Sequence, residues 1–166
     1  MKSKKHSTNV PVLYRQGDVA IERITALPPS LNRVPLESGK VVLAHGEVTG
    51  HHHAFVDVDC TKFTDSSGAE FFDVRGREMS FTLPVIRRWK NQVMISHPLH
   101  GMIEFAVADV SITDGHVTVS GKFGLLRHDE HNTHGIPAGI YKGAQIANGT
   151  VRQREYHPES IRNVMD

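Results

Sequence analysis

Cysteine is nearly absent from this 166-residue chain, where Cys60 stands alone. A lone thiol excludes an internal disulfide and a cysteine-built zinc site, and predicts a reducing compartment, the cytoplasm. Aromatic residues are scarce, at 7%. They do not interleave with basic ones, so a base-stacking platform for single-stranded nucleic acid is not expected. Charge of one sign is lacking too: 19 Lys and Arg face 18 Asp and Glu, which gives no bulk attraction to nucleic acid or membrane. No apolar run nears the roughly 20 residues that span a bilayer. The charged start has no hydrophobic stretch behind it, so no secretory leader is expected. Glycine loops of the form GxxxxGK or GxGxxG and the GxSxG elbow are missing, which removes the usual phosphate-cradle and serine-hydrolase signatures.

What is present reads as one mainly β domain, a small barrel or sandwich with little helix. The opening "MKSKKHSTN" is basic and without apolar periodicity, so residues 1–11 are expected to form a flexible arm and 12–166 a single domain. "VLYRQGDVAIERI" breaks into two β-prone pieces at Gly17-Asp18, and "KVVLAHGEVTG" and "HHHAFVDVD" read as strands hinged near Gly46 or Gly50. "TDSSGAE" is a turn, and "EFFDVRGREMSFTLP" holds two strands around Gly76. Asp114-Gly115 between β-branched runs is the strongest hairpin signal. A second hairpin is expected from "GIPAGIYKGAQIA" and "GTVRQREY", turning at Asn148-Gly149. "PVIRRWKNQVM" admits one helical turn opened by Pro84, and the tail admits a short helix from Ser160. Turn signals every 8 to 12 residues fit a sandwich or small barrel.

Histidine is the outlier, at 12 residues. "HGEVTGHHHAF" packs four of them into positions 45–55. On a strand, His51, His53, Phe55 and Asp57 share one side, while His52, Ala54, Val56 and Val58 share the other, which reads as the core-facing row. Side chains two apart on a strand lie about 7 Å from one another at the backbone, so two imidazoles can reach one ion at about 2.0–2.1 Å. The second cluster, "RHDEHNTHGIPAGIY", carries His128, Glu130, His131 and His134. Convergence of the two would give three metal-binding nitrogens, from His51, His53 and His131, with Glu130, His128 or Glu47 in the fourth place and Glu130 or Glu47 as general base. Three protein ligands with an open position describe a catalytic site, and a fourth protein ligand a structural one. Imidazole with carboxylate suits zinc first, then iron, nickel or manganese. His45, His97, His100, His116 and His157 read as surface or loop residues. In "QREY", Gln153 and Glu155 share one face and Arg154 and Tyr156 the other.

"GEVTGHHHAF" followed by "HGIPAGIY" is similar to the two-part pattern of the cupins, in which a His-x-His strand and a later His with Pro-x-Gly hold one metal inside a β-barrel or jelly roll. Here Asp57 and Asp59 stand where the cupin motif has Glu, and His131 and His134 precede Pro137 and Gly139. A closer resemblance joins "LAHGEVTGHHHAF", "LLRHDEHNTHGIPAGIY" and "RQREYHPESIRNVMD" to small uncharacterised proteins of phage and prophage genomes, with the pattern GExTGHxH…HxEH…PxGxY…QREY. It marks Glu47, His51, His53, His128, Glu130, His131, Tyr141, Gln153, Arg154 and Tyr156, and it implies a setting in the cytoplasm of a bacterial host.

The resulting expectation is a histidine-ligated divalent-metal protein acting as a metal-dependent enzyme on a small or anionic substrate, in the manner of a hydrolase, isomerase or oxygenase. Glu130, Glu47 and Arg154 would be the catalytic groups, and Tyr141, Gln153 and Tyr156 the substrate contacts. The alternative is a non-catalytic phage or prophage accessory protein that binds a host or virion protein, with a structural metal or none. Membrane contact is not expected, and nucleic acid is a weak third option through the basic arm. Homo-oligomerisation stays open.

Overall fold

The computed structural model describes residues 12–45 and 52–144. The basic arm, the Asn148-Gly149 hairpin, the helix at Ser160 and the QREY segment lie outside the described residues. In chain order the strands are β1 (Leu13–Gln16), β2 (Val19–Ile24), β3 (Asn32–Arg33), β4 (Lys40–His45), β5 (His52–Val56), β6 (Cys60–Thr64), β7 (Glu70–Val74) and β8 (Arg77–Pro84). They continue as β9 (Arg87–Trp89), β10 (Gln92–His97), β11 (Gly101–Ala106), β12 (Ser111–Thr113), β13 (His116–Arg127), β14 (Thr133–Pro137) and β15 (Gly139–Ala144). Among the described residues the helical pieces are two short 3-10 turns, Asp57–Asp59 and Val107–Asp109, and no helix is long and apolar enough to cross a membrane.

The strands form two sheets, as the β-rich pattern predicts. One runs β1-β2-β15-β7-β6-β3, and the other runs β4-β5-β13-β14-β11-β10-β9, with β8 and β12 also paired to β13. The main core lies between the sheets. Tyr14, Ile21, Phe72 and Tyr141 reach it from the first sheet, and Val41, Leu43, Phe55, Leu126 and Ile136 from the second. Each fully buried large apolar side chain contributes about 1.5–3 kcal/mol relative to exposure, so this layer holds the sandwich together. A second core, including Val93, Ile95, Ile103, Phe105, Val117 and Phe123, is built entirely from strands of the larger sheet. That sheet therefore folds partly onto itself.

β13 connects the two cores. Its first residues pair with β8 and β12, and its last with β14 and β5. Leu125 faces one core and Leu126 the other, as side-chain alternation on a strand requires. The hairpin signals hold: Asp114 (φ 50°) and Gly115 (φ 72°) join β12 to β13, with both central residues at positive φ as a type I′ turn demands. Gly17 (φ 58°) joins β1 to β2.

Two expectations change. The Pro84 stretch forms no helical turn. It closes β8, and β9 then hairpins onto β10, because Ile86 and the strand after it find backbone partners across Met94. β5 also buries residues of both rows: His53 and Phe55 are buried, Phe55 at 0% exposure, and so is Ala54 of the row expected to face the core. Phe55 packs into the main core, and alternation puts His53 on the same side.

Candidate metal centre

Four segments meet around His53. Gln16 ends β1, Asp18 sits in the β1–β2 turn, His53 lies on β5, and His128 and His131 lie in the loop between β13 and β14. The ring centroids of His53 and His128 are 4.1 Å apart, those of His53 and His131 are 5.9 Å apart, and those of His128 and His131 are 4.6 Å apart. The two histidine clusters of the sequence do come together. The rings stack, however, and do not aim at one common point; among the described residues no group of three or more His, Cys, Asp or Glu side chains is arranged to hold an ion.

Hydrogen bonding fixes the proton of His53. The buried Gln16 amide donates from Nε2 to the carbonyls of Leu126 and Asn132, both at 2.8 Å. Those partners only accept, so the amide orientation is determined and Oε1 must face His53 Nδ1, 2.8 Å away. Oε1 only accepts, so Nδ1 carries the hydrogen. Nε2 of the neutral ring is then a lone pair, and it lies 3.1 Å from Asp18 Oδ1. Two acceptors face to face repel unless a positive charge lies between them. A proton or a metal ion satisfies this arrangement. Pinning one ring nitrogen through its N–H so that the other is presented is how metal-binding histidines are held.

The neighbours are held in turn. Asn132 Nδ2 donates to Glu104 Oε1 at 2.8 Å, and His134 Nε2 meets Glu104 Oε2 at 3.0 Å. Burial pushes the Glu104 carboxyl up, but hydrogen bonds from His134 and Asn132 outweigh it and hold the group below the ordinary glutamate range. Gly17 lets the turn approach closely: a Cβ there would fall 2.7 Å from His131 Nε2 and 3.2 Å from His53 Cε1. His128 has a different role from the one its sequence context suggests. Its Nδ1 accepts the backbone N–H groups of Glu130 (3.0 Å) and His131 (3.2 Å), which leaves the proton of the neutral ring on Nε2. It organises the loop and stacks on His53.

The remaining sequence candidates separate by position. Glu130 is exposed in the same loop. Tyr141 is fully buried in the main core and its hydroxyl donates to Pro137 O at 2.6 Å, so it packs where a substrate contact had been expected. His51, Glu47, Gln153, Arg154 and Tyr156 lie outside the described residues. Sequence reading missed Gln16, Asp18, Asn132 and Glu104. For Gln16 a signal existed, because Leu13-Tyr14-Arg15-Gln16 alternates and puts a polar side chain in the inward phase beside Tyr14. His52 turns the other way, into an open cleft of about 550 Å³ that is also lined by Lys40, Arg127, His128 and Asp129.

A family model, described as a domain of unknown function (DUF8820), matches residues 15–108, more than half of the chain. The chain belongs to the DUF8820 family. The matched span includes Gln16, Asp18 and His53, and stops before His128 and His131. No curated protein and no solved structure matches the chain.

Proposed function

We propose that this DUF8820 protein binds one divalent transition-metal ion, zinc first, with the buried His53 Nε2 and the partly buried Asp18 as donors and His131 as a third. The observation that carries this reading is the Gln16-locked tautomer, which sets a nitrogen lone pair against a carboxylate at 3.1 Å. His131 completes the set by rotation of a ring that sits in a loop, with its Nε2 already beside the Gly17-Asp18 turn. His51 and Glu47 are the further ligands that the sequence offers. An open coordination position would polarise a substrate oxygen or activate water, and the adjoining cleft is of a size that takes a small molecule. On this reading the protein is a metal-dependent enzyme of a small or anionic substrate. The GExTGHxH resemblance supports a phage or prophage setting.

The stacking of the rings favours a second reading. A proton replaces the ion, His53 and Asp18 form a buried ion pair, and the chain is a non-catalytic accessory protein that docks on a host or virion protein. Metal analysis of untagged protein after equilibrium dialysis against zinc separates the two. The first reading predicts one ion per chain in wild type and in His116→Ala, and none in His53→Ala. Equal content in all three, or none in any, overturns it.

A further inference from the structure

The chain contains a second His-x-x-His turn, built in the same way as the first. In residues 97–100, His97 Nδ1 accepts the backbone N–H groups of Leu99 (3.1 Å) and His100 (3.3 Å). His128 does the same to residues 130 and 131. Each turn leads directly into a strand, β11 or β14, and these two strands pair in parallel, so the turns lie at the same end of the sheet. The charge beside the first turn is mixed: Arg127 precedes it, and Asp129 and Glu130 lie within it. At the second turn Arg127 Nη2 lies 3.3 Å from His100 Nδ1.

The proton inventory follows from these contacts. Neutral His97 carries its hydrogen on Nε2, because Nδ1 is accepting. A guanidinium only donates, so His100 Nδ1 accepts from Arg127 and its hydrogen is also on Nε2. Burial first, then the neighbouring His97, Arg77 and Arg127, hold His100 below the ordinary histidine range, with Asp59 opposing them. The nearest carboxylate, Asp59, is fully buried and already bonded to Arg77 through two 3.0 Å contacts. Among the described residues neither Nε2–H has an acceptor, and no carboxylate pairs with Arg127. The two rings are 4.8 Å apart.

We propose that the His97–His100 turn and Arg127 form a site for a phosphate-type oxyanion. Two imidazole N–H donors and a guanidinium with no carboxylate partner among the described residues supply the kinds of donor that a tetrahedral anion accepts from. Arg127 also lines the open cleft, so the anion sits at the mouth of that cleft. The site does not depend on metal binding at His53.

Calorimetric titration with inorganic phosphate, in chloride buffer without added metal, tests it. Saturable one-site binding is expected in wild type and His116→Ala. Arg127→Gln, an exposed strand-end change that leaves the core intact, is expected to weaken it roughly tenfold or more, and His100→Phe to weaken it as well. Absence of saturable binding in wild type, or equal affinity in Arg127→Gln, overturns the assignment. Parallel titrations with a nucleoside monophosphate and a short single-stranded oligonucleotide identify the source of the phosphoryl group by which binds tighter.

Discussion

The chemistry of the candidate centre rests on one amide. Gln16 is 1% exposed, and each of its polar atoms is used: two carbonyls accept from it and one imidazole donates to it. Gln16→Leu keeps the approximate volume but orphans all three partners. Each unsatisfied buried group costs about 1–3 kcal/mol, so denaturant unfolding should show a loss of several kcal/mol. Zinc affinity should fall about 10–100-fold, because His53 no longer has a fixed tautomer. Glu104 acts one step further back. Its carboxyl is held below the usual glutamate range, so the stability it supplies is present above the unfolded value, about 4.3, and is lost as pH falls through the lower folded value. Glu104→Gln should flatten the acid limb of a thermal-stability profile below about pH 4.3 relative to wild type. An unchanged limb would show that the His134 and Asn132 contacts do not hold this group.

At the scale of elements, the positions of most strands and turns were legible because they depend on local rules. Gly17, Gly76 and Asp114-Gly115 take positive φ, and period-two alternation marks the strands they join. The inward face of β5 was not legible, because Ala54 and Phe55 are both buried and only the packing of the two sheets ranks them. Asp18 read as a plain turn residue, since its partner His53 is 35 positions away. Asp59 was likewise hidden. It accepts Arg77 twice and the N–H of Leu125, and its carbonyl accepts the N–H groups of Arg75 and Gly76. One residue thus ties the Asp57–Asp59 turn to the start of β8 and to the centre of β13. Gly76 is fixed in the same knot, because a Cβ there would lie 2.7 Å from the Phe123 backbone. Asp59→Asn removes a fully buried carboxylate from an ion pair whose Arg77 side is 36% exposed, and is expected to cost about 1–3 kcal/mol. A chemical-denaturation midpoint equal to wild type would contradict that role.

Across the whole molecule the centre spans both sheets. Gln16 and the Asp18 turn belong to the smaller sheet, and His53 and the 128–132 loop belong to the larger. The 3.1 Å contact between His53 Nε2 and Asp18 Oδ1 therefore joins the two layers. The cation site proposed at His53 and the anion site proposed at Arg127 would lie on one molecule, beside a cleft lined by both Arg127 and His128. All of this follows from where one hydrogen sits on the His53 ring. Long-range proton–nitrogen NMR of the imidazoles, recorded before and after one equivalent of zinc, reads that hydrogen directly. The account predicts a hydrogen on His53 Nδ1 in both spectra, and a Nε2 resonance that moves to its metal-bound position when zinc is added. A Nε2 that keeps its hydrogen after zinc would contradict it.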